Sequence, residues 1–177
     1  RSSLLMSNYI TSNFSNLIFS CSVPSQWHME HRVTDHCVVF VRQGKLLISD
    51  KGRTEEIPAG SCVFLKKDCS VRLVKASFAG KNYEGLNIRL PQNILEDYFQ
   101  RHLKNNEFPQ DFTGLSNCFM RLNRTLCLQG LLSSIILFVE EGQDPGQEMT
   151  ELKVEELILD LLQTNIRFFP TLFDFYR

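Results

Sequence analysis

The sequence predicts an α+β protein: an N-terminal antiparallel β-barrel or sandwich followed by a C-terminal helical segment. Two observations carry the prediction. Before residue 91 the chain is a series of short β-branched and aromatic runs, with a turn signal every ~8–12 residues. After Pro91 the apolar spacing becomes helical. The length fits such a plan, since 177 residues is one domain, or one with an appendage. Apolar residues make up 43% of the chain and Phe occurs 14 times, enough to fill a core and to exclude the disordered and fibrous classes.

The strands follow from the residues in order. Ile18–Val23 is a candidate strand stopped by Pro24, and Cys37–Val41 is β-branched and aromatic. Arg42-Gln43-Gly44-Lys45 turns into Leu46–Ser49, and Asp50-Lys51-Gly52 turns again into Thr54–Ile57. Pro58-Ala59-Gly60 breaks that run. Cys62–Leu65 is the next strand, Val71–Lys75 alternates with period two, and Tyr83–Leu90 alternates again. Asn93–Leu103 then places Ile94, Leu95, Tyr98, Phe99 and His102 at helical spacing, before a loop with Asn105-Asn106 and Phe108-Pro109. Leu122–Glu141 is a long apolar helix ended by Gly142. Thr150 is the expected cap of the last helix, with Lys153 where a complete capping box would have Glu. In that helix Val154, Leu157, Ile158, Leu161 and Leu162 form one stripe, and Leu152 and Leu159 lie on a second face. The aromatic tail Phe168–Tyr176 is expected to dock on the helices, although contact with a further domain would also cover it.

Composition narrows the function. A net charge of −1 gives no electrostatic footprint for DNA or RNA. No window reaches the roughly 20 apolar residues of a membrane span, and Leu4-Leu5-Met6 is too short for a signal-peptide core. The six cysteines, at 21, 37, 62, 69, 118 and 127, show no two-residue spacing and sit among apolar neighbours. They are expected to be reduced, buried packing residues of a cytoplasmic protein. There is no nucleophile signature and no phosphate-binding glycine loop. The acidic pairs Glu55-Glu56, Glu140-Glu141 and Glu155-Glu156 are consecutive, which suits solvated faces better than an acid/base pair.

His28, His31 and His36, with Glu30 and Asp35 among them, are the place to look for a metal. A barrel of this kind resembles the cupin fold, whose enzymes bind metal through two His, a Glu and a later His. Setting the glycine that ends the first cupin motif on Gly44 puts the Glu position on Cys37. The His pair then falls on His31 and Val33, or on Glu30 and Arg32, and the later His position on Val71. One imidazole does not make a site, so no metal, no cofactor and no catalytic residue is expected.

The stretches Val38–Leu46 and Ile57–Lys67 together resemble the sensor half of AraC/XylS-type transcription regulators, in which a strand, x-x-Gly, strand hairpin precedes a Pro-x-Gly turn and an apolar strand. Leu152-Lys153-Val154-Glu155-Glu156-Leu157-Ile158 looks like the family's acidic-leucine helix just before the linker to the DNA-binding half. Within the family, the sub-group of regulators like the type III secretion activator ExsA is the most similar. The resemblance covers roughly residues 20–176.

It implies a cupin-like sensor barrel without metal over residues 1–90. Helices over 91–177 would dimerise the protein and begin the linker. The helix-turn-helix DNA-binding domain would lie outside this chain, in keeping with a first residue, Arg1, that is not Met. The expected partners are a second copy of the chain and a small-molecule effector or regulatory protein, with DNA reached only through the separate domain and no membrane. A ligand pocket inside the barrel is expected at Trp27, His31, Val39, Val41, Phe64 and Arg72, unless the barrel is filled by its own side chains. A dimer seam is expected at Leu152, Glu156, Leu159 and Gln163, unless that face packs on Leu131–Phe138. Two other readings are a metal-dependent cupin enzyme, such as a sugar epimerase or dioxygenase, and a free-standing protein-interaction domain.

Overall fold

The computed structural model describes residues 9–105 and 113–176. The predicted loop around Asn106 and Phe108-Pro109 lies outside the described residues. The chain runs β1 (Ile10–Phe14), β2 (Ile18–Val23), β3 (Trp27–Arg32), β4 (His36–Gln43), β5 (Lys45–Asp50), β6 (Arg53–Pro58), β7 (Cys62–Leu65), β8 (Ser70–Ala76) and β9 (Tyr83–Leu90). Then follow α1 (Gln92–His102), β10 (Phe119–Arg121), α2 (Leu126–Glu141), α3 (Gln147–Thr164) and α4 (Phe168–Leu172), closed by a 3-10 turn at Asp174–Tyr176.

The strands form two antiparallel sheets, ordered β1-β2-β9-β4-β7-β10 and β3-β8-β5-β6. This is an α+β jelly roll of the cupin-like kind with helices behind it. The turn residues fix the hairpins. Gly44 (φ +75°) joins β4 to β5, and a Cβ there would lie 2.6 Å from the Ala76 carbonyl oxygen and 2.7 Å from Tyr83 Cα. Only glycine fits that approach.

The central strands of the six-stranded sheet, β9, β4 and β7, are covered on both faces. Cys37, Val39, Val41, Val63 and Leu65 point between the sheets, with Leu46, Ile48, Ile57 and Leu73 opposite. Val38, Phe40, Cys62, Phe64, Ile18, Leu86 and Ile88 point the other way, onto the helices. A sheet covered on both sides explains why β4 and β7 read as continuous apolar runs. Against this second face pack Leu95, Tyr98 and Phe99 of α1, Leu131 and Ile135 of α2, and Val154, Leu157, Ile158 and Leu161 of α3. Phe168 sits edge-on to Phe64 with ring centres 4.9 Å apart, and Leu172 and Phe173 join the same core. The aromatic tail therefore docks on the helices and sheet.

The helix ends follow their chemistry. Thr125 caps α2, its hydroxyl accepting from Leu128 N–H at 2.9 Å and donating to Asp160 of α3 at 2.9 Å. Gly142 ends α2 in the left-handed conformation (φ +63°). The expected cap at Thr150 is wrong. α3 begins three residues earlier, and Thr150 is buried inside it with its hydroxyl donating to the Gly146 carbonyl at 2.7 Å.

The cysteine expectation also needs correction. Cys37 and Cys62 are free and buried, but Cys21 is half-buried and Cys127 exposed. Cys69 and Cys118 form a disulfide, with Cα atoms 5.6 Å apart. Their 49-residue separation hides a proximity that the fold creates. The β7–β8 turn lies beside the segment entering β10, where Lys66 N–H donates to the Cys118 carbonyl at 2.8 Å. The chain beyond residue 90 is also not wholly helical, because β10 returns to pair with β7.

Candidate functional site in the barrel

The alternation of β9 positions the site. Leu86, Ile88 and Leu90 face the helices, so Tyr83, Gly85, Asn87 and Arg89 turn toward the other sheet. Three of these are polar and one has no side chain, so this strand cannot fill the space between the sheets. A cavity of about 260 Å³ remains there, walled by Phe19, Met29, Val39, Leu46, Leu65 and Leu73. Its polar lining is Cys21, His31, Lys75, Tyr83, Asn87 and Arg89.

Lys75 is only 7% exposed. Its ammonium donates to Cys21 Sγ at 3.7 Å and lies 5.4 Å from the centre of the Tyr83 ring. The Tyr83 hydroxyl and Asn87 Oδ1 are both buried with no hydrogen-bond partner. A buried polar atom left unpaired costs about 1–3 kcal/mol, so the cavity favours a molecule that can complete the bonds. Burial, reinforced by the Lys75 charge, holds His31 below the usual histidine pKa. Burial chiefly pushes the Tyr83 hydroxyl well above its usual value, so it stays a donor. The chemistry presented is an apolar chamber with the Lys75 ammonium, the Arg89 guanidinium paired to Asp35, and two neutral hydrogen-bonding groups.

Of the residues expected to line a pocket, His31 and Val39 do so. Val41 is buried in the same core but away from the cavity. Trp27 packs at the rim of that core, edge-on to Tyr9 at 5.2 Å. Phe64 belongs to the other face of its sheet, among the helices. Arg72 points outward and pairs with Glu30 at 3.1 Å. The last two are corrected by the period-two alternation of β7 and β8. Val71, Leu73 and Lys75 share the inward face, so Lys75 is the polar handle that the choice of Arg72 missed. Cys21, Met29, Tyr83 and Asn87 were also missed.

The three clustered histidines do not converge. His28 is exposed on β3, and His31 faces the cavity. His36 is buried on the helix side against Phe64. Among the described residues no group of three His, Cys, Asp or Glu could hold a metal. A second hollow, about 460 Å³, lies between β7, β10 and α2 beside Arg121 and Arg124. The barrel cavity differs in holding buried polar atoms without partners.

On α3, Val154, Leu157, Ile158 and Leu161 are buried, while Leu152 is 57% and Leu159 45% exposed. Glu156 and Gln163 are exposed beside them. This face does not pack on α2 within the chain. No helix among the described residues is long and apolar enough to cross a membrane.

The fold is a jelly-roll barrel with a buried cavity of mixed polarity, backed by helices. The sequence profile of the ExsA N-terminal regulatory domain matches residues 36–168, and the chain belongs to that family, a regulatory domain of AraC-type transcription regulators. Comparison with curated protein sequences returns no match. Among solved structures, the apo K231A form of ToxT from Vibrio cholerae superposes with a TM-score of 0.61 at 14% identity, covering 86% of this chain and 58% of ToxT. Wild-type ToxT with an unsaturated fatty acid bound gives 0.57 at 12% identity, covering 83% and 53%. The chain thus spans a little over half the length of these relatives. At such identities the likeness is one of fold.

Proposed function

We propose that this chain is the non-enzymatic, cytoplasmic sensing and dimerising part of an AraC-type regulator. It would control a separate DNA-binding domain by binding its effector better in one state than in another. The observation that carries the sensing role is the barrel cavity, an apolar chamber lined by Lys75 and two unpartnered buried oxygens. Its volume is just under the ~300–1,000 Å³ of common ligand sites. The effector is then a small or medium amphiphile with an apolar body and an anionic or carbonyl head, seated at Lys75 and Tyr83. Fatty-acid-bound ToxT supports this reading by analogy of fold alone.

Dimerisation rests on the exposed face of α3. Met149, Leu152, Glu156, Leu159 and Gln163 recur along α3 at alternating three- and four-residue steps, and the three apolar ones are each at least 45% exposed. That is the spacing of a helix–helix seam.

Calorimetric titration with decanoate, and with decanol as its uncharged counterpart, tests the sensing role. Decanoate binds the wild type more tightly than decanol does, and Lys75→Met abolishes the difference. Equal binding of both by the wild type sinks the seat at Lys75. Light scattering of Leu152→Glu/Leu159→Glu tests the seam: the wild type is a dimer and the variant a monomer. An unchanged mass would refute it.

A further inference from the structure

The Cys69–Cys118 bond lies at the edge of a surface hollow on the far side of the four-stranded sheet from the barrel cavity. The hollow, about 720 Å³, is lined by both cysteines, by Arg32, Lys51 and Arg72, and by Asp50 among its acids. The cations are not locked away. Arg32 pairs with Asp68 at 3.9 Å and Arg72 with Glu30 at 3.1 Å, with every side chain in these pairs more than 60% exposed. We propose that Cys69 and Cys118 form a thiol–disulfide exchange site for a small anionic peptide thiol of the glutathione class, and that the bond's state sets how firmly β10 is held to the barrel.

The chemistry of the hollow suits that ligand. Such a peptide carries two carboxylates and one ammonium, and the hollow sets three cations, Arg32, Lys51 and Arg72, among three acids, Glu30, Asp50 and Asp68, beside the sulfur–sulfur bond. The exchange balances without any further reactant. From the reduced pair, the thiolate of Cys118, the more exposed of the two residues, attacks oxidised glutathione, forms a mixed disulfide and expels one glutathione thiolate. The thiolate of Cys69 then displaces the second, closing the Cys69–Cys118 bond. Two electrons pass from the cysteine pair to glutathione, and the two cysteine protons end on the released thiols or in solvent. The buried thiols do not compete, because burial pushes Cys37 and Cys62 up to about 12 and a thiolate is the reactive form.

The consequence for the fold is local and directional. β10 is three residues long and, among the described residues, pairs with β7 alone. Cys118 immediately precedes it, so the disulfide pins its first residue. From β10 the chain runs through Leu122, whose N–H donates to the Cys62 carbonyl at 3.0 Å. It then reaches Thr125, whose hydroxyl bonds Asp160 on α3. Reduction leaves β10 to its short ladder. Oxidation ties the entry of α2 to the barrel.

The test uses the full chain carrying Cys127→Ser, which removes the exposed competing thiol, equilibrated in mixtures of reduced and oxidised glutathione. Denaturing alkylation with N-ethylmaleimide and intact mass show two fewer adducts at oxidising ratios than at reducing ones. Peptide mapping places the new crosslink between Cys69 and Cys118. Amide exchange at Phe119–Leu122 slows at least tenfold on oxidation, and the thermal midpoint rises by about 10 °C, as expected for closing a loop of this length. Full alkylation at every ratio, or a crosslink elsewhere, overturns the exchange site. Equal exchange of those amides in both states overturns the latch. Because both states come from one protein, no outcome depends on whether a Cys69 or Cys118 variant folds.

Discussion

Acid should unfold this protein through one buried imidazole. His36 is 2% exposed. Its Nδ1 accepts from Lys67 N–H at 3.0 Å, its ring stacks on Phe64 at 5.5 Å, and its Nε2 is buried without a partner. Burial, with the Lys67 charge adding to it, lowers its pKa from 6.5 to about 4, against smaller opposing effects of Asp174, the Thr171 backbone and Asp68. Below pH 6.5 the unfolded chain takes up a proton that the folded chain refuses. The stability His36 contributes is therefore complete above about 6.5, falls as pH drops, and levels off below about 4. At about 1.36 kcal/mol per pH unit, the fall from 6.5 to about 4 amounts to roughly 3 kcal/mol. Urea unfolding of wild type and His36→Gln, followed between pH 7.5 and 3.5, isolates this contribution, since all other groups titrate alike in both. The two stability curves converge by roughly 3 kcal/mol on acidification. Curves that stay parallel would refute the neutral, buried His36.

Three further outcomes follow from the packing. Phe168→Ala, which empties a fully buried site against Phe64, lowers stability by about 3–5 kcal/mol in urea titration. Gly44→Ala combines a positive φ with backbone atoms under 3 Å from the new Cβ and costs ~3 kcal/mol or more, read as a lowered thermal midpoint. Thr125→Ala loses the cap of α2 and strips Asp160 of its donor, a loss of about 2 kcal/mol by the same assay.

Much of the fold was legible because each local signal had one meaning. The shift of apolar period at Pro91, the turns at Gly44 and Gly52, and the inward stripe of Val154, Leu157, Ile158 and Leu161 all read through to the structure. Sidedness was not legible. Cys62–Leu65 is apolar throughout because it is buried on both faces, so nothing local says that Val63 faces the barrel and Phe64 the helices. β8 did carry the information, since Val71, Leu73 and Lys75 alternate against Arg72. That alternation puts a cation of the cavity at Lys75 rather than Arg72. β10 was too short to show a period. The Cys69–Cys118 pair depends on a proximity that only the assembled fold supplies.

The proposed effector seat lies in the barrel interior rather than among the helices. Chemical-shift mapping of the isotope-labelled chain during titration with decanoate tests that most directly. The expected shifts concentrate at Cys21, His31, Lys75, Tyr83 and Asn87, together with a change in the fluorescence of Trp27, the sole tryptophan. Saturable binding whose shifts fall on α1–α3 and leave those five residues unmoved would contradict that seat.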